Sequence, residues 1–345
     1  MIYWFRAAVL AGLAMVGSEA ASETTIKILD FKDLDGWAED DHAAALSTFQ
    51  NTCMDFDAPD WQALCKAAGE ISDARSFFEL LFRPVLVEDG KDALFTGYFE
   101  PELDGSLVPT ERYRYPLYRQ PPEARRKTSW LTRREIETSG AMVGRGLEVA
   151  WVDDPVELFF LQIQGSGRIH LPDGSYLRVG YGGSNGRPYR SIGVELVRRG
   201  VYSAHQVSAQ VIKNWVRRNP VDGADLLRHN DSYVFFRKVT RVPADKGPLG
   251  AMNRSITTMR TVAVDPKFTP LGAPVWVEKE GETPLRRLMI AQDTGSAIKG
   301  AQRADIFFGT GDDAGRAAGR LKDGGRMIIL LPIQRAYAML PEAVL

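Results

Sequence analysis

The C-terminal third of the chain carries the pattern that most constrains its fold. Five short apolar segments follow one another there, separated by turns rich in glycine and proline: 261–264, 275–277, 288–292, 304–308 and 327–331. β-Branched and aromatic residues are typical of strands. A helical pattern over 313–323 interrupts the series. Strands this short and closely spaced favour a compact barrel over an open parallel sheet, whose strands need long crossover connections.

Earlier segments predict a helical start followed by further strands. Residues 21 to about 90 favour helices, including one over 73–81, and the period then changes to two over 94–99. The chain is therefore expected to be mainly β with a helical N-terminal part. Three further strand regions are predicted: 159–164, the hairpin segments 168–171 and 176–179 around Pro172-Asp173-Gly174, and 233–239.

Two more helices are predicted from their capping residues. Residues 129–132 begin a short helix with Glu135 as capping partner, and Ser203 caps a second helix that stops at Pro220.

The N-terminal residues have the pattern of a secretory signal. Arg6 precedes an apolar run over 7–16, and Ser18 and Ala20 occupy the small-residue positions of a cleavage site. A membrane anchor is the alternative, but the run is shorter than the ~20 residues that span a bilayer. Because no cysteine lies near the cut, no lipid anchor is expected. We expect residues 1–20 to be a signal peptide and the mature protein to be periplasmic, with peripheral attachment at the outer membrane left open.

Cys53 and Cys65 are the two cysteines of the chain. An even count in an exported protein favours a disulfide. Both lie at apolar positions of helical patterns, so two short antiparallel helices would bring them together. Two buried free thiols are the alternative.

The charge balance argues against nucleic acid as a ligand. Lys and Arg number 43 against 44 Asp and Glu, a net charge of −1, whereas nucleic-acid binders usually carry a basic excess. Apolar residues make up 44% of the chain and charged residues 25%, as in soluble globular proteins. The charge balance says little about neutral polymers such as glycans, which need hydrogen bonds and aromatic faces rather than opposite charge.

The sequence contains no motif that indicates a metal site, a dinucleotide cofactor or a serine nucleophile. His42, His170, His205 and His229 never fall at the spacing of zinc ligands. The segment 309–314 matches G-x-G-x-x-A, but too few residues follow it to complete a dinucleotide-binding half. Ser166 lacks the flanking glycine spacing of a nucleophile elbow. No metal and no cofactor are therefore expected.

Two aspartates are candidates for catalysis. Asp293 ends the apolar segment 288–291, and Asp305 lies inside the apolar run 304–308. A carboxylate among apolar residues is costly unless it is paired or protonated, and burial raises its pKa, as a general acid at neutral pH requires. For either aspartate alone, a structural role with backbone amides or Arg303 is the alternative. Two such aspartates in one strand–loop–strand segment favour a functional role over a structural one.

Aromatic and amide side chains complete a site suited to sugars. Tyrosine rings stack on sugar rings, and the amides of Gln and Asn bond hydroxyl and acetamido groups. A glycine-rich stretch over 182–186, bracketed by two tyrosines, favours a binding loop. The candidates lie on predicted strands or loops: Tyr98, Gln162, Gln164, Tyr181, Asn185 and Tyr189.

Several segments together resemble the membrane-bound lytic murein transglycosylase A family. The resemblance covers roughly residues 95 to 330 in family order, and the helical N-terminal part matches loosely. The segments are 95–101 (FTGYFEP), 160–167 (FLQIQGSG), 179–186 (VGYGGSNG), 232–236 (SYVFF), 293–300 (DTGSAIKG) and 305–309 (DIFFG).

This resemblance implies a two-domain fold. A double-psi β-barrel domain is expected from residues 21–104 and 241–345, with a second β-rich domain, 105–240, inserted between them. The glycan is expected in the groove between the two, since ligand pockets favour domain interfaces.

The resemblance also implies the activity, a peptidoglycan lytic exotransglycosylase. Asp305 matches the family's catalytic aspartate and Asp293 a second acidic position. A protonated Asp305 would cleave the β-1,4 bond between N-acetylmuramic acid and N-acetylglucosamine, leaving 1,6-anhydromuramyl ends. One acid/base suffices because the nucleophile is the substrate's own C6 hydroxyl. The implied substrate contacts are Thr96, Tyr98, Glu100, Gln162, Gln164, Ser166, Tyr181, Asn185 and Tyr189.

Peptidoglycan strands are the expected partner of a monomer, with cell-wall enzyme complexes left open. Asp293 precedes turn amides that are expected to hold it ionised, suiting it to orient the substrate. Two rival functions stay open at this point. A two-carboxylate hydrolase would use Asp293 to activate water, and a non-catalytic peptidoglycan-binding protein would release no product.

Overall fold

The computed structural model describes residues 24–126, 128–243 and 245–340. The predicted signal peptide, 1–20, lies outside the described residues. No helix within the described ranges is long and apolar enough to cross a membrane.

The described residues form strands in two sheets, with helices around them. The strands are β1 (Thr25–Ile28), β2 (Phe82–Glu88), β3 (Leu94–Glu100), β4 (Glu102–Ser106), β5 (Tyr115–Tyr118), β6 (Glu148–Val152), β7 (Gly167–His170), β8 (Tyr176–Ser184), β9 (Val234–Lys238), β10 (Thr261–Val264), β11 (Pro274–Lys279), β12 (Leu285–Thr294), β13 (Arg303–Thr310), β14 (Lys322–Asp323) and β15 (Gly325–Pro332). The α-helices are α1 (His42–Gln50), α2 (Pro59–Glu70), α3 (Ala74–Leu81), α4 (Pro122–Arg126), α5 (Arg133–Thr138), α6 (Pro155–Gln164), α7 (Ile192–Arg198), α8 (Ala209–Arg218), α9 (Pro220–Leu227), α10 (Asp312–Ala318) and α11 (Ile333–Ala338).

The larger sheet joins the two ends of the described chain. Its strand order is β1-β2-β15-β11-β12-β10-β13-β3-β14, and the pairs β10–β12 and β13–β3 are parallel. All five apolar segments that predict C-terminal strands lie in it. Among the described strands, no backbone pairing closes this order into a ring.

Both faces of the larger sheet are buried, which explains the continuous apolar runs of its strands. Successive residues of a strand face opposite sides. On β11, Val275 and Val277 pack into an inner cluster with Phe95 and Ile306, whereas Trp276 packs with the N-terminal helices. Burying each such side chain stabilises the fold by about 1.5–3 kcal/mol.

The N-terminal helices cover the outer face of this sheet. Helix α3 begins where the Asp73 side chain accepts a hydrogen bond from the backbone N–H of Ser76, as expected of a helix cap. Phe77 and Phe78 on this helix are fully buried. The disulfide is confirmed, since Cys53 and Cys65 are bonded with their Cα atoms 5.4 Å apart.

The smaller sheet lies between β4 and β9 in sequence. Its order is β5-β6-β4-β7-β8-β9. The predicted hairpin is confirmed, because β7 and β8 pair antiparallel around the Pro172-Asp173-Gly174 turn. The predicted capping box is also confirmed: Thr132 and Glu135 exchange hydrogen bonds at the start of α5. Strand β3 runs almost directly into β4, so one chain segment links the two sheets.

The strand predicted over 159–164 is wrong, because this segment forms the second half of α6. The Asp154 side chain accepts hydrogen bonds from the N–H groups of Val156 and Glu157, and Pro155 occupies the first turn. Gly165 ends the helix with a φ of 79°, a conformation that favours glycine. These end signals outweigh the apolar alternation. The helix packs Phe159 and Leu161 into two different clusters, so its apolar residues do not form one stripe.

Two helix boundaries also differ from the predictions. Ser203 precedes a short 3-10 turn, and α8 instead begins after Ser208, whose side chain accepts from the N–H of Val211. The helix predicted over 313–323 ends at Ala318, because β14 forms at Lys322–Asp323.

Candidate active site

A cleft of about 800 Å³ lies where the two sheets meet. The larger sheet contributes Tyr98 from β3, Asp293 from the end of β12 and Asp305 from β13. The smaller-sheet side contributes the C-terminal half of α6 and parts of β8 and β9. The loops 249–253 and 294–299 complete the wall.

Asp305 is held on the larger sheet by its neighbour on β3. It lies opposite Thr96 in the parallel register of the two strands. The hydroxyl of Thr96 donates to Asp305 Oδ1 at 2.5 Å and accepts from Arg303 Nη2 at 2.8 Å. Burial raises the pKa of the Asp305 carboxyl, while the hydrogen bond from Thr96 and the charge of Arg303 oppose this shift. The raised pKa favours the protonated form of the Asp305 carboxyl.

Asp293, like Asp305, is half-buried, but it accepts more hydrogen bonds. Tyr98 donates its hydroxyl to Oδ2 at 3.0 Å, and the backbone N–H groups of Ala251 and Thr294 each donate to Oδ1 at 2.9 Å. Burial nevertheless raises the pKa of Asp293 to about 6, and the charge of Asp305 acts in the same direction. The amides expected to keep this carboxyl ionised are present, but desolvation outweighs them.

Tyr98 donates a hydrogen bond to Asp293 and lies close enough to Asp305 to feel its charge. It lies two residues beyond Thr96 on β3, so both side chains project from the same face of the strand. Burial, followed by the negative charges of Asp293 and Asp305, raises the pKa of Tyr98 well above its usual value. Its hydroxyl therefore stays protonated and donates to Asp293. The ring packs against Phe307 with a centroid distance of 5.2 Å.

Two glutamines of α6 line the opposite wall, each held differently. The Oε1 of Gln162 accepts from Arg133 Nη1 at 2.6 Å, and Gln162 also hydrogen-bonds the side chain of Tyr233. The Oε1 of Gln164 accepts from the backbone N–H of Phe99 at 3.0 Å. An N–H can bond only to the amide oxygen, so this contact directs the NH₂ group of Gln164 away from Phe99 and leaves it as a donor.

Further lining residues suit a polar ring-shaped ligand. Tyr181 on β8 is 55% exposed, so its ring can be covered by a ligand. Ser166 and Tyr189 also line the cleft. Burial raises the pKa of Tyr189, which remains a neutral phenol.

Glu100, interpreted from the sequence as a substrate contact, does not line the cleft. Its side chain is 0% exposed and lies at the junction of the two sheets. Arg168 and Arg178 each pair with it at 3.0 Å, and the hydroxyl of Thr310 donates to it at 2.8 Å. A buried carboxylate requires such partners, so Glu100 joins the two sheets.

Asn185 is also fully buried, under the binding-loop segment. Its Nδ2 donates to the carbonyl oxygens of Leu131 and Asp231, both at 2.8 Å, and its Oδ1 accepts from the N–H of Tyr233 at 2.9 Å. Asn185 thus shapes the wall of the cleft from behind. Thr96 reaches the cleft only through Asp305.

The sequence interpretation missed Arg133, which is 2% exposed yet lines the cleft. Its guanidinium donates to the carbonyl oxygens of Asn230 and Ser232 and lies over the rings of Phe159 and Tyr233. In the sequence it follows the cap residue of a short polar helix and resembles a solvated charge. No periodicity could have identified it.

The polar residues of the cleft are suited to acid–base chemistry. Among the described residues, no group of three or more His, Cys, Asp or Glu could hold a metal ion. The cleft offers two carboxyls with raised pKa on one wall, with amide donors and exposed aromatic faces on the other.

Known proteins resemble this chain in sequence. A family model described as the MltA specific insert domain matches residues 94–237, and one described as the 3D domain matches residues 260–331. The chain is 34% identical over 266 residues to membrane-bound lytic murein transglycosylase A of Vibrio cholerae, covering 73% of this chain and 70% of the relative.

Solved structures agree with this similarity. A membrane-bound lytic murein transglycosylase from Agrobacterium tumefaciens superimposes with a TM-score of 0.79 at 32% identity, covering 91% of this chain and 99% of that one. E. coli MltA with bound chitohexaose superimposes with a TM-score of 0.73 at 27% identity, covering 89% and 94%.

Proposed function

The chain belongs to the membrane-bound lytic murein transglycosylase A family, and from this premise we propose how its cleft works. The substrate is the glycan strand of peptidoglycan. The enzyme cleaves the β-1,4 bond between N-acetylmuramic acid and N-acetylglucosamine without water, and it leaves a 1,6-anhydromuramyl end.

The single observation that supports this mechanism is the environment of Asp305. Its carboxyl lies on a strand between buried Ala304 and Ile306, with Thr96 bonded to one oxygen. Burial raises the pKa of Asp305, and a raised pKa suits a general acid near neutral pH. The second oxygen remains for the substrate.

The reaction then needs one acid/base group. Protonated Asp305 gives its proton to the glycosidic oxygen, and the bond from that oxygen to the muramyl C1 breaks. The C6 hydroxyl of the same sugar attacks C1, and its proton passes to the Asp305 carboxylate, which restores the acid. The nucleophile is held within the substrate, so proximity takes the place of a second catalytic carboxylate.

Asp293 acts beside Asp305 as a positioning group in this proposal. Its hydrogen bond from Tyr98 joins it to the strand that also carries Thr96. Its negative charge contributes to the raised pKa of Tyr98, and the like charges of the two carboxyls disfavour the ionisation of both at once. The charge would also favour the positive character that C1 acquires as its bond breaks.

The opposite wall binds the sugars. The NH₂ group of Gln164 is oriented as a donor for an acetamido carbonyl or a hydroxyl, and Tyr181 offers an exposed ring. Gln162, Ser166 and Tyr189 line the same wall.

We also propose the finer domain arrangement. Residues 21–104 and 241–345 would form a double-psi β-barrel, with 105–240 inserted. One observation supports the closure of this barrel: the side chain of Gln302 donates to the carbonyl oxygens of Val87 and Met327 and accepts from the N–H of Met327. It thereby bridges the start of β13 to β2 and β15.

A cell-envelope location agrees with the membrane-bound relatives. We propose the finer location as periplasmic, after removal of residues 1–20. If most of the protein stayed in the membrane fraction after a high-salt wash, this location would be wrong.

Product analysis tests the function directly. Purified protein is incubated with murein sacculi, and mass spectrometry reads the released muropeptides. We expect 1,6-anhydromuramyl ends. Reducing ends would identify a hydrolase, and binding without any product would identify a non-catalytic peptidoglycan-binding protein.

A further inference from the structure

Besides the buried Arg133, three cationic side chains line the cleft and take no part in the proposed reaction. Arg187 follows β8, Arg237 lies on β9, and Lys299 lies on the loop between β12 and β13. We call them the cationic edge. Within the described residues, none of the three has a carboxylate at ion-pair distance. Their charges therefore remain largely uncompensated inside the cleft.

The two arginines are nevertheless oriented. Arg237 donates from Nε to the carbonyl oxygen of Tyr181 at 3.2 Å and from Nη2 to Asn253 Oδ1 at 3.0 Å. Arg187 donates from Nε to the carbonyl oxygen of Trp130 at 2.7 Å. These partners are neutral, so they fix each guanidinium without cancelling its charge. A preorganised charge loses less freedom when a ligand binds.

Carboxylates near the cationic edge do not neutralise it. Asp293 and Asp305 are the acidic residues that line the cleft, and the charge of Arg303 acts on Asp305. The pKa of Glu135 is lowered first by hydrogen bonds to Thr132 and then by the charge of Arg187, but Glu135 does not line the cleft.

A cationic cleft is unexpected for the sugar backbone alone. Hydroxyl and acetamido groups are neutral, and the chain as a whole carries a net charge of −1. Negative charge in a peptidoglycan strand is carried by carboxylates on its muramyl residues, either on the lactyl group or on the stem peptide. Arginine matches a carboxylate with two parallel N–H groups.

We propose that the cationic edge binds the carboxylates carried by muramyl residues, so that the cleft holds anionic strands more tightly than neutral sugar chains. This proposal rests on the proposed function, because a glycan strand must occupy the cleft. Arg237 and Arg187 would bind carboxylates along the smaller-sheet wall, and Lys299 would bind them along the wall beside Asp293.

Three soluble probes separate the sources of charge: chitohexaose, which is neutral; glycan strands stripped of peptides, which keep lactyl carboxylates; and strands that bear stem peptides. Calorimetry measures the affinity of each probe for the full chain in an Asp305→Asn background, which prevents turnover. Arg237→Gln is then added to that background. The matched control is Arg218→Gln. Arg218 is an exposed arginine of α8 whose Nε, like that of Arg237, donates to a backbone carbonyl, here that of Asn214, and it does not line the cleft.

We expect Arg237→Gln to weaken at least one anionic probe on the order of ten-fold, the scale of one hydrogen bond between charged groups. The loss for chitohexaose should be several-fold smaller, and added salt should weaken only the anionic probes. A loss confined to peptide-bearing strands assigns the stem-peptide carboxylates, and a loss confined to stripped strands assigns the lactyl carboxylates, which are free only where the peptide has been removed. A loss for both anionic probes means that the cationic edge binds either carboxylate.

Equal losses for chitohexaose and the anionic probes would overturn the proposal, since Arg237 would then only support the shape of the cleft. An unchanged affinity for all three probes would overturn it as well. Failure of the proposed function looks different: the parent protein would then bind none of the probes, or wild-type protein would release no anhydro product from sacculi.

Discussion

The two walls of the cleft hold their polar groups in opposite ways. On the larger sheet, Asp293 and Asp305 lie in apolar strands, where burial raises the pKa of both. On the smaller-sheet side, the buried side chains of Arg133 and Gln162 are hydrogen-bonded to each other, and Arg237 keeps its charge near solvent. The first arrangement creates reactive carboxyls because hydrogen bonds and nearby charge compensate the desolvation only in part. The second creates fixed donors for binding. The contrast predicts that changes on one wall alter the rate and changes on the other alter affinity.

The largest expected effect is the loss of rate in Asp305→Asn. The amide keeps the size of the side chain but cannot transfer a proton, so turnover should fall by roughly 10²–10⁴-fold or more. Binding of chitohexaose and the thermal unfolding temperature should change little. Asp313→Asn is the matched control, since its side chain is 96% exposed on the helix after β13. Near-normal activity of Asp305→Asn, with loss of activity in Asp293→Asn, would reverse the two roles.

Glu100→Gln tests the junction between the walls. Removing the charge leaves Arg168 and Arg178 without their shared carboxylate, and breaking a buried pair costs about 3–5 kcal/mol of unfolding free energy. Denaturant unfolding measures this loss. Glu102→Gln is the control, because that side chain is 34% exposed and lies 3.7 Å from Arg168, which limits the cost to about 1 kcal/mol or less. Equal effects of the two substitutions would contradict the joining role of Glu100.

The two glutamines of α6 separate glycan binding from structural support within one helix. Gln164→Ala should weaken chitohexaose binding about ten-fold with a small change in stability, the scale of one lost hydrogen bond. Gln162→Ala should instead lower the unfolding free energy by about 1–3 kcal/mol, because the buried guanidinium of Arg133 loses a partner. Calorimetry and thermal unfolding of both variants decide between these outcomes. The reverse pattern would mean that Gln162 contacts the glycan and Gln164 supports the fold.

The smallest expected effect is a gain in stability in Asp293→Asn. The folded-state pKa of Asp293, about 6, exceeds the value near 4 of an unfolded aspartate. The folded state therefore binds the proton more tightly, and this carboxyl lowers stability progressively as the pH rises from about 4 to 6. At pH 7 the difference of about two pKa units corresponds to about 2.7 kcal/mol, and the lost acceptor for the Tyr98 hydroxyl offsets about 1 kcal/mol of it. Asp293→Asn should therefore raise the unfolding free energy by about 1–2 kcal/mol, and the gain should vanish near pH 4.

Asp293→Asn should also retain more activity than Asp305→Asn and give the same anhydro product. Thermal unfolding across this pH range, combined with product analysis, checks both statements. A reducing-end product would show that Asp293 controls the reaction type.

The sequence determined much of the larger sheet by itself, because local signals and tertiary contacts agree there. Buried strands such as 261–264 read as apolar runs between turns, and the structure has the same boundaries for that strand. Asp293 and Asp305 were identifiable because a carboxylate in an apolar segment is costly wherever the chain folds. The cysteine pair was identifiable from its even count and its helical spacing.

On the smaller-sheet side of the cleft, only the tertiary structure determined the secondary structure and the burial of the polar residues. Residues 159–164 alternate like a strand, yet the capping of α6 by Asp154 and the positive φ of Gly165 make them helical. Glu100 and Asn185 looked like ligand contacts, but partners distant in sequence bury both. Arg133 looked solvated and is enclosed by residues about a hundred positions away. Burial of a charge depends on which distant groups surround it, and the local pattern of a sequence carries no record of those groups.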